Sequence, residues 1–149
     1  NNLGYVWSRK GSWHEAQDLY RAWAASGLDH ARALQNLSVA SEQAEDFVLA
    51  AESLSARLRL WPGNVSPQDI KRLAVLHVRS GHPQQAAATL ERYRCLWRRD
   101  TPKNVAEMEN LAGTVAQILG QRQQAEARYR AALELYPGLE SARRNLAGL

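Results

Sequence analysis

An alanine followed four residues later by a large apolar residue recurs along the chain. The pairs are Ala16 with Tyr20, Ala50 with Leu54, Ala86 with Leu90, and Ala125 with Tyr129, and successive alanines are 34, 36 and 39 residues apart. Residues four apart lie on one face of an α-helix. A period of roughly 20 to 50 residues is typical of stacked structural repeats, so each pair is expected to anchor one helix of a repeat.

A second helix is predicted before each anchor helix. One equivalent position in each of these helices carries a small residue. These residues are Gly4, Ser38, Ala74 and Gly113. A small side chain lets two helices approach closely. The recurrence therefore predicts a packing requirement between the helices.

The turn between the two helices of a repeat is marked by glycine in three places. Gly11, Gly81 and Gly120 each stand five residues before an anchor alanine, and Glu45 takes that position in the second repeat. Glycine there typically ends a helix in the left-handed conformation. The second repeat is expected to turn without glycine.

Two helix starts are marked by a hydroxyl residue before a proline. Ser66 precedes Pro67, and Thr101 precedes Pro102. Both dipeptides are typical of a helix N-cap followed by proline at the first helical position. Relative to a 34-residue period, two residues are inserted before the third repeat and five before the fourth. These residues are therefore expected to lie in loops or to lengthen helix starts.

The combined pattern resembles the tetratricopeptide repeat, a helix-turn-helix unit of about 34 residues with Trp-x2-Leu-Gly-x2-Tyr, Ala-x3-Phe and Pro. The matching positions here are Leu3, Gly4, Trp7, Gly11, Ala16, Tyr20, Pro62 and Pro137. The resemblance implies an all-α fold, a right-handed α-solenoid of antiparallel helix pairs. In the register that this resemblance sets, residues 1–149 form a single domain. Its repeats are 1–30, 31–64, 67–100 and 106–139, and residues 140–149 begin a further helix or cap.

The last predicted helix keeps apolar residues, Leu146 and Leu149. A solenoid end with an exposed apolar face needs a polar cap or a partner. We therefore expect a segment of a longer array, or a homo-oligomer that stacks through the solenoid ends.

Composition adds little to this prediction. Apolar residues make up 45% and charged residues 23% of the 149 residues, which is ordinary for a folded protein, and no apolar run approaches the roughly 20 residues of a membrane span. The net charge of +4 is too dispersed for a nucleic-acid-binding stripe. Abundant arginine and alanine hint at a bacterial protein, and the single cysteine, Cys95, fits a periplasmic or a cytoplasmic location.

No catalytic, metal or cofactor site is expected. The histidines, His14, His30, His77 and His82, share no i, i+4 spacing that would place two ligands on one helical face. His77 replaces an inter-helix aromatic and is expected to pack there with a hydrogen bond. Trp61, Trp97 and Tyr136 share one phase at the end of second helices, which favours packing between repeats over a ligand site.

A partner-binding surface is implied by the resemblance, because first helices in the tetratricopeptide family line a concave groove that accepts an extended peptide or a partner's helix. Carried over in phase, the groove positions are Tyr5, Arg9, Arg32, Gln35, Asn36, Val39, Gln43, Lys71, Arg72, Val75, Arg79, Asn110, Thr114, Gln117 and Arg144. This polar, moderately basic surface suits an extended or acidic protein segment. Asn36 and Arg72 match the family's five-residue clamp for chaperone tails, but Asn1, Tyr5 and Gln68 do not, which argues against that ligand.

The predicted function is a non-enzymatic protein-protein interaction scaffold. One alternative is a repeat segment of a bacterial pilus, secretion or exopolysaccharide export assembly protein. Another is the substrate-positioning arm of an enzyme whose catalytic domain lies outside this segment. Binding of RNA is disfavoured because the groove positions vary without a repeated base-reading pair.

Overall fold

The computed structural model describes residues 12–27 and 29–149, and all regular elements in these ranges are helical. The helices are α1 (Trp13–Ala25), α2 (His30–Gln43), α3 (Phe47–Leu60), α4 (Pro67–Arg79), α5 (Pro83–Arg92), α6 (Arg94–Trp97), α7 (Pro102–Ile118), α8 (Arg122–Leu135) and α9 (Glu140–Ala147), with a 3₁₀ turn at Pro62–Asn64. Successive helices form antiparallel pairs, which confirms the predicted all-α fold class. Within the described ranges, no helix has the length and apolar character needed to cross a membrane.

Two compact units divide the chain, the first ending at Val65 and the second comprising Ser66–Leu149. In the first unit, α2 packs against both α1 and α3. In the second unit, α4 packs against α5, and α8 packs against both α7 and α9. The predicted single domain and its repeat boundaries stay predictions.

The anchor pairs form the core of both units. All eight residues are at most 5% exposed. In the first unit, Ala16 and Tyr20 share a core cluster with Leu37 and Ala40. In the second unit, Ala125 and Tyr129 share one with Ala116, so the predicted framework role is confirmed.

The turns inside the helix pairs share one backbone geometry. Gly81 and Gly120 have φ of 82° and 74°, and Glu45 adopts a left-handed φ of 60° in the equivalent turn. Each residue donates its N–H to the carbonyl three residues earlier, and the next N–H bonds to the carbonyl five residues earlier. This is the Schellman termination, so glycine is conformationally favoured at these positions and Glu45 adopts the same conformation without it.

The two predicted helix starts are also confirmed. The Ser66 hydroxyl accepts from the Asp69 N–H at 3.1 Å, and the Asp69 carboxylate accepts from the Ser66 N–H at 3.2 Å, forming a capping box. The Thr101 hydroxyl accepts from the Asn104 N–H at 3.4 Å. Because α7 already begins at Pro102, the inserted residues lengthen the helix start as well as the loop before it.

The small-residue phase is explained by close contact between paired helices. A Cβ atom added to Gly113 would lie 2.5 Å from Cε1 of Tyr129. Ser38 is fully buried and donates its hydroxyl to the carbonyl of Ala50 at 2.9 Å, while Ala74 is also fully buried. Gly4 and Gly11 lie outside the described residues.

The expected common packing role of three aromatics at second-helix ends is only partly correct. Trp97 is 1% exposed, but α5 stops at Arg92, so Trp97 belongs to the separate short helix α6. Its Nε1 donates to the Leu90 carbonyl at 2.8 Å, which satisfies an acceptor near the helix break. Trp61 caps α3 and lies edge-on to His30 at 5.8 Å, whereas Tyr136 is exposed and the prediction is wrong for it.

The leucines at this end, Leu146 of α9 and Leu149 after it, are half-buried. Leu146 and Leu149 pack against the cluster of Ala116, Ala125 and Tyr129, and Ala142 is fully buried. Polar residues such as Glu140 and Arg143 occupy its exposed face. These leucines are therefore partly covered within the second unit, and homo-oligomerisation through the solenoid ends stays a prediction.

Candidate partner-binding surface

The predicted groove positions that the structure describes lie on first helices of the helix pairs. Tyr5 and Arg9 lie outside the described residues. Lys71, Arg72, Val75 and Arg79 lie on α4; Asn110, Thr114 and Gln117 on α7; Arg144 on α9; Arg32, Gln35, Asn36, Val39 and Gln43 on α2.

In the first unit, the α2 positions are only partly open to solvent. Arg32, Val39 and Gln43 are exposed, and Gln35 and Asn36 are half-buried. Arg32 lies 3.6 Å from the Asp29 carboxylate. The buried Oε1 of Gln35 has no hydrogen-bond partner within the described part of the chain, so this amide is a costly group to leave without a partner.

In the second unit, α7 and α9 are joined by a cluster of short polar side chains. The amide nitrogen of Asn145 donates to Oδ1 of Asn110 at 3.0 Å and to the Thr114 hydroxyl at 3.5 Å. The amide nitrogen of Asn110 donates to the Ser141 hydroxyl at 3.4 Å. We call Asn110, Thr114, Ser141 and Asn145 the amide cluster; its residues are all half-buried.

Tyr129 connects the core to this surface. Its ring is fully buried against Gly113, while its hydroxyl donates to Oε1 of Gln117 at 2.8 Å and lies 3.4 Å from the Thr114 hydroxyl. A buried aromatic ring has a fixed orientation, so it holds two predicted groove residues in defined positions. The framework role predicted for Tyr129 thus extends to positioning the surface.

An acidic residue that the sequence analysis missed lies among the basic groove positions. Glu107 accepts a hydrogen bond from the Lys71 ammonium at 2.7 Å. The pair is partly exposed, so it contributes little to stability, but it makes the surface less basic than predicted. The repeat register could have identified Glu107. It stands three residues before the groove position Asn110, just as the groove position Arg32 stands three residues before Gln35.

A small cavity of about 190 Å³ adjoins this ion pair. Its lining includes Pro67, Lys71, Asp100, Glu107 and Met108. Lys71 is the one predicted groove residue in the lining.

The sequence analysis also missed a buried charge on α7. Glu109 is 1% exposed, and its carboxylate lies 2.8 Å from the Arg128 guanidinium and 3.4 Å from that of Arg98. Its core-facing position was indicated by helical spacing from Val105 and Ala106, which are also buried. Its arginine partners could not be identified from that spacing.

The remaining candidates for chemistry are dispersed. His77 is buried, and desolvation, followed by the charge of His82, lowers the pKa of its imidazole. No hydrogen bond of the His77 ring to another described residue is found, contrary to our expectation. Cys95 is exposed, and no group of three potential metal ligands occurs within residues 12–27 and 29–149.

The chain resembles solved structures of MamA, a tetratricopeptide-repeat protein of magnetotactic bacteria. One MamA structure matches with a TM-score of 0.76 and 20% identity, over 97% of this chain and 80% of that chain. MamA from Desulfovibrio magneticus RS-1 gives a TM-score of 0.75 and 18% identity, over 99% and 79% of the two chains. No family model matches the sequence, and no curated protein was found to match it. The chain therefore has the tetratricopeptide-repeat fold seen in MamA, built from sequential antiparallel helix pairs.

Proposed function

We propose that this protein is a non-enzymatic scaffold that binds a segment of a partner protein along the exposed faces of its first helices. The fold supports this class of function, because the MamA structures that it resembles are those of a non-catalytic interaction scaffold. The observation that carries the proposal is the amide cluster on α7 and α9.

The amide cluster has the chemistry that an extended peptide backbone requires. Each carboxamide has two donors and one acceptor oxygen with two lone pairs, and the contacts inside the cluster use only part of this capacity. The internal hydrogen bonds hold the side chains in position before a ligand arrives, which reduces the entropy lost on binding. Arg144, which is exposed and adjacent to Asn145, favours an acidic segment and raises its association rate.

Peptides selected from a random 12-residue display library on the whole protein provide the test. For peptides that bind the groove, the double variant Asn110→Ala with Asn145→Ala should weaken affinity by about tenfold, because two buried backbone hydrogen bonds are lost. The matched control is Gln84→Ala with Gln123→Ala, which removes two exposed amides from second helices. Titration calorimetry gives the dissociation constants.

The proposal fails if every selected peptide binds the Asn110→Ala, Asn145→Ala protein as tightly as the wild type. Circular dichroism of each variant shows that the helices are retained. The alternatives of a pilus, secretion or export component and of an enzyme's positioning arm stay predictions, and nothing in the described residues favours either.

A further inference from the structure

A pocket lies in the second unit on the side of α7 opposite to the amide cluster. It is bounded by α5, α6, α7 and α8 and has a volume of about 360 Å³. It is lined by Val115 of α7 and by Leu119, the C-cap of that helix, which helical periodicity places on the face opposite Asn110. We call this the back pocket.

Apolar and polar side chains line the back pocket together. Its apolar lining comes from Leu90, Trp97, Val115 and Leu119, and its polar lining includes Glu91, Gln124 and Arg128. Its volume falls at the low end of the roughly 300–1,000 Å³ that ligand-binding pockets occupy. Such a space accommodates a bulky side chain rather than a whole helix.

The charges beside the back pocket are held in place but not balanced. Arg98 and Arg128 converge on the buried Glu109, at 3.4 and 2.8 Å. Glu91 lies 3.3 Å from Arg94 and 4.0 Å from Arg128. The cluster therefore holds three guanidinium groups and two carboxylates, which leaves one surplus positive charge.

Two members of this cluster, Glu91 and Arg98, are exposed, and Arg98 is the one that can pair with an acidic ligand. The Arg98 side chain is 53% exposed and Arg128 only 20%. A guanidinium has five N–H donors in a planar fork and pairs readily with a carboxylate. A third carboxylate next to the pocket would balance the surplus charge and accept hydrogen bonds from Arg98.

We propose that the back pocket binds one bulky apolar side chain of a protein partner, next to an Asp or Glu of the same partner that pairs with Arg98. Apolar anchors in small desolvated pockets with polar edges dominate the affinity of many protein interfaces. The complementary charge selects an acidic partner segment. This contact is separate from the amide cluster, so the protein would hold two partner segments on opposite faces of α7.

Peptide display on the 149-residue protein tests the proposal, with removal of peptides that also bind an Ala87→Phe variant. Ala87 lines the pocket, so phenylalanine at this position fills it. The matched control is Ala127→Phe, an exposed position of α8 that does not line the pocket. Fluorescence anisotropy at two salt concentrations gives the dissociation constants of the recovered peptides.

The recovered peptides should share a Leu, Ile, Phe or Trp beside an Asp or Glu. Ala87→Phe should weaken their binding by about tenfold or more, and Arg98→Gln by about threefold with a smaller salt dependence. Ala127→Phe and the Asn110→Ala, Asn145→Ala protein should bind them as the wild type does. Because Arg98 is exposed, its variant keeps the test valid if Ala87→Phe reduces helicity.

Three results would overturn the proposal: no recovered peptide, recovered peptides without an acidic residue, or equal binding by wild type and Arg98→Gln. Loss of binding in the Asn110→Ala, Asn145→Ala protein would place the peptide in the groove instead. That last result would support the proposed function while excluding the back pocket, so the two proposals can fail independently.

Discussion

At the scale of single residues, the turn at Glu45 is the clearest departure from the repeat pattern. A left-handed backbone costs a residue with a Cβ roughly 1–2 kcal/mol, and the equivalent turns avoid this cost with Gly81 and Gly120. We expect Glu45→Gly to stabilise the protein by about 1 kcal/mol, after the greater entropy of glycine in the unfolded chain is subtracted. Urea unfolding followed by circular dichroism measures the change.

The control for Glu45→Gly is a neighbouring residue with helical dihedrals. Gln43→Gly, in the last turn of α2, should destabilise by about 1 kcal/mol because glycine is a poor helix former. Gly120→Ala should also destabilise, by about 1 kcal/mol. If Glu45→Gly and Gln43→Gly shift the urea midpoint in the same direction, the turn geometry is not what limits stability at position 45.

At the scale of helix pairs, the small residue of the first helix is matched to the anchor residue of the second. Tyrosine anchors occur with glycine, in Gly4 with Tyr20 and Gly113 with Tyr129, whereas leucine anchors occur with Ser38 or Ala74. The structure gives the reason in the fourth repeat, since a Cβ at position 113 would lie 2.5 Å from the Tyr129 ring. The ring is buried, and its hydroxyl bonds to Gln117, so it cannot move away easily.

Gly113→Ala therefore tests this pairing. Alanine is the better helix former by about 1 kcal/mol, but overpacking a core typically costs about 1–3 kcal/mol, so we expect net destabilisation of about 1 kcal/mol or more. The double variant Gly113→Ala with Tyr129→Leu copies the pairing of Ala74 with Leu90. It should lose less free energy of unfolding than the two single variants lose in sum. An additive double-mutant cycle by urea unfolding would contradict the pairing.

At the scale of elements, the sequence predicted the local features and missed the contacts between helices. Helix starts, turns and anchor positions were predicted because each is set by residues close together in the chain, such as Ser66 with Asp69. The ion pairs of Glu107 and Glu109 were not, because their partners lie on other helices. The exposure of Tyr136 and the covering of Leu146 were missed for the same reason, since burial depends on which helix packs on which.

The candidate site was predicted in outline only. The family resemblance placed Asn110, Thr114 and Gln117 among the groove positions but not Asn145. It could not show that Asn110 and Thr114 bond to Asn145 or that Tyr129 positions Gln117. The back pocket has no signal in the sequence, because its lining comes from four helices. Three-dimensional packing, and not residue type, creates it.

At the scale of the whole molecule, His77 links protonation to the free energy of unfolding. Burial and then the charge of His82 lower the pKa of His77 below its usual value of 6.5 in the folded protein. Below pH 6.5 the unfolded chain therefore binds a proton that the folded protein does not. The contribution of His77 to stability is complete above pH 6.5 and is lost as the pH falls toward the folded pKa.

This linkage predicts a pH dependence that one substitution removes. Between pH 7 and pH 5 the free energy of unfolding should fall more steeply for the wild type than for His77→Phe, by at most about 1.4 kcal/mol per pH unit for one proton. Phenylalanine restores the inter-helix aromatic of the repeat pattern and cannot titrate. His82→Gln should reduce the slope only slightly, because desolvation is the larger cause. Urea unfolding at a series of pH values gives the slopes, and equal slopes for wild type and His77→Phe would show that the buried imidazole is protonated as readily as in the unfolded chain.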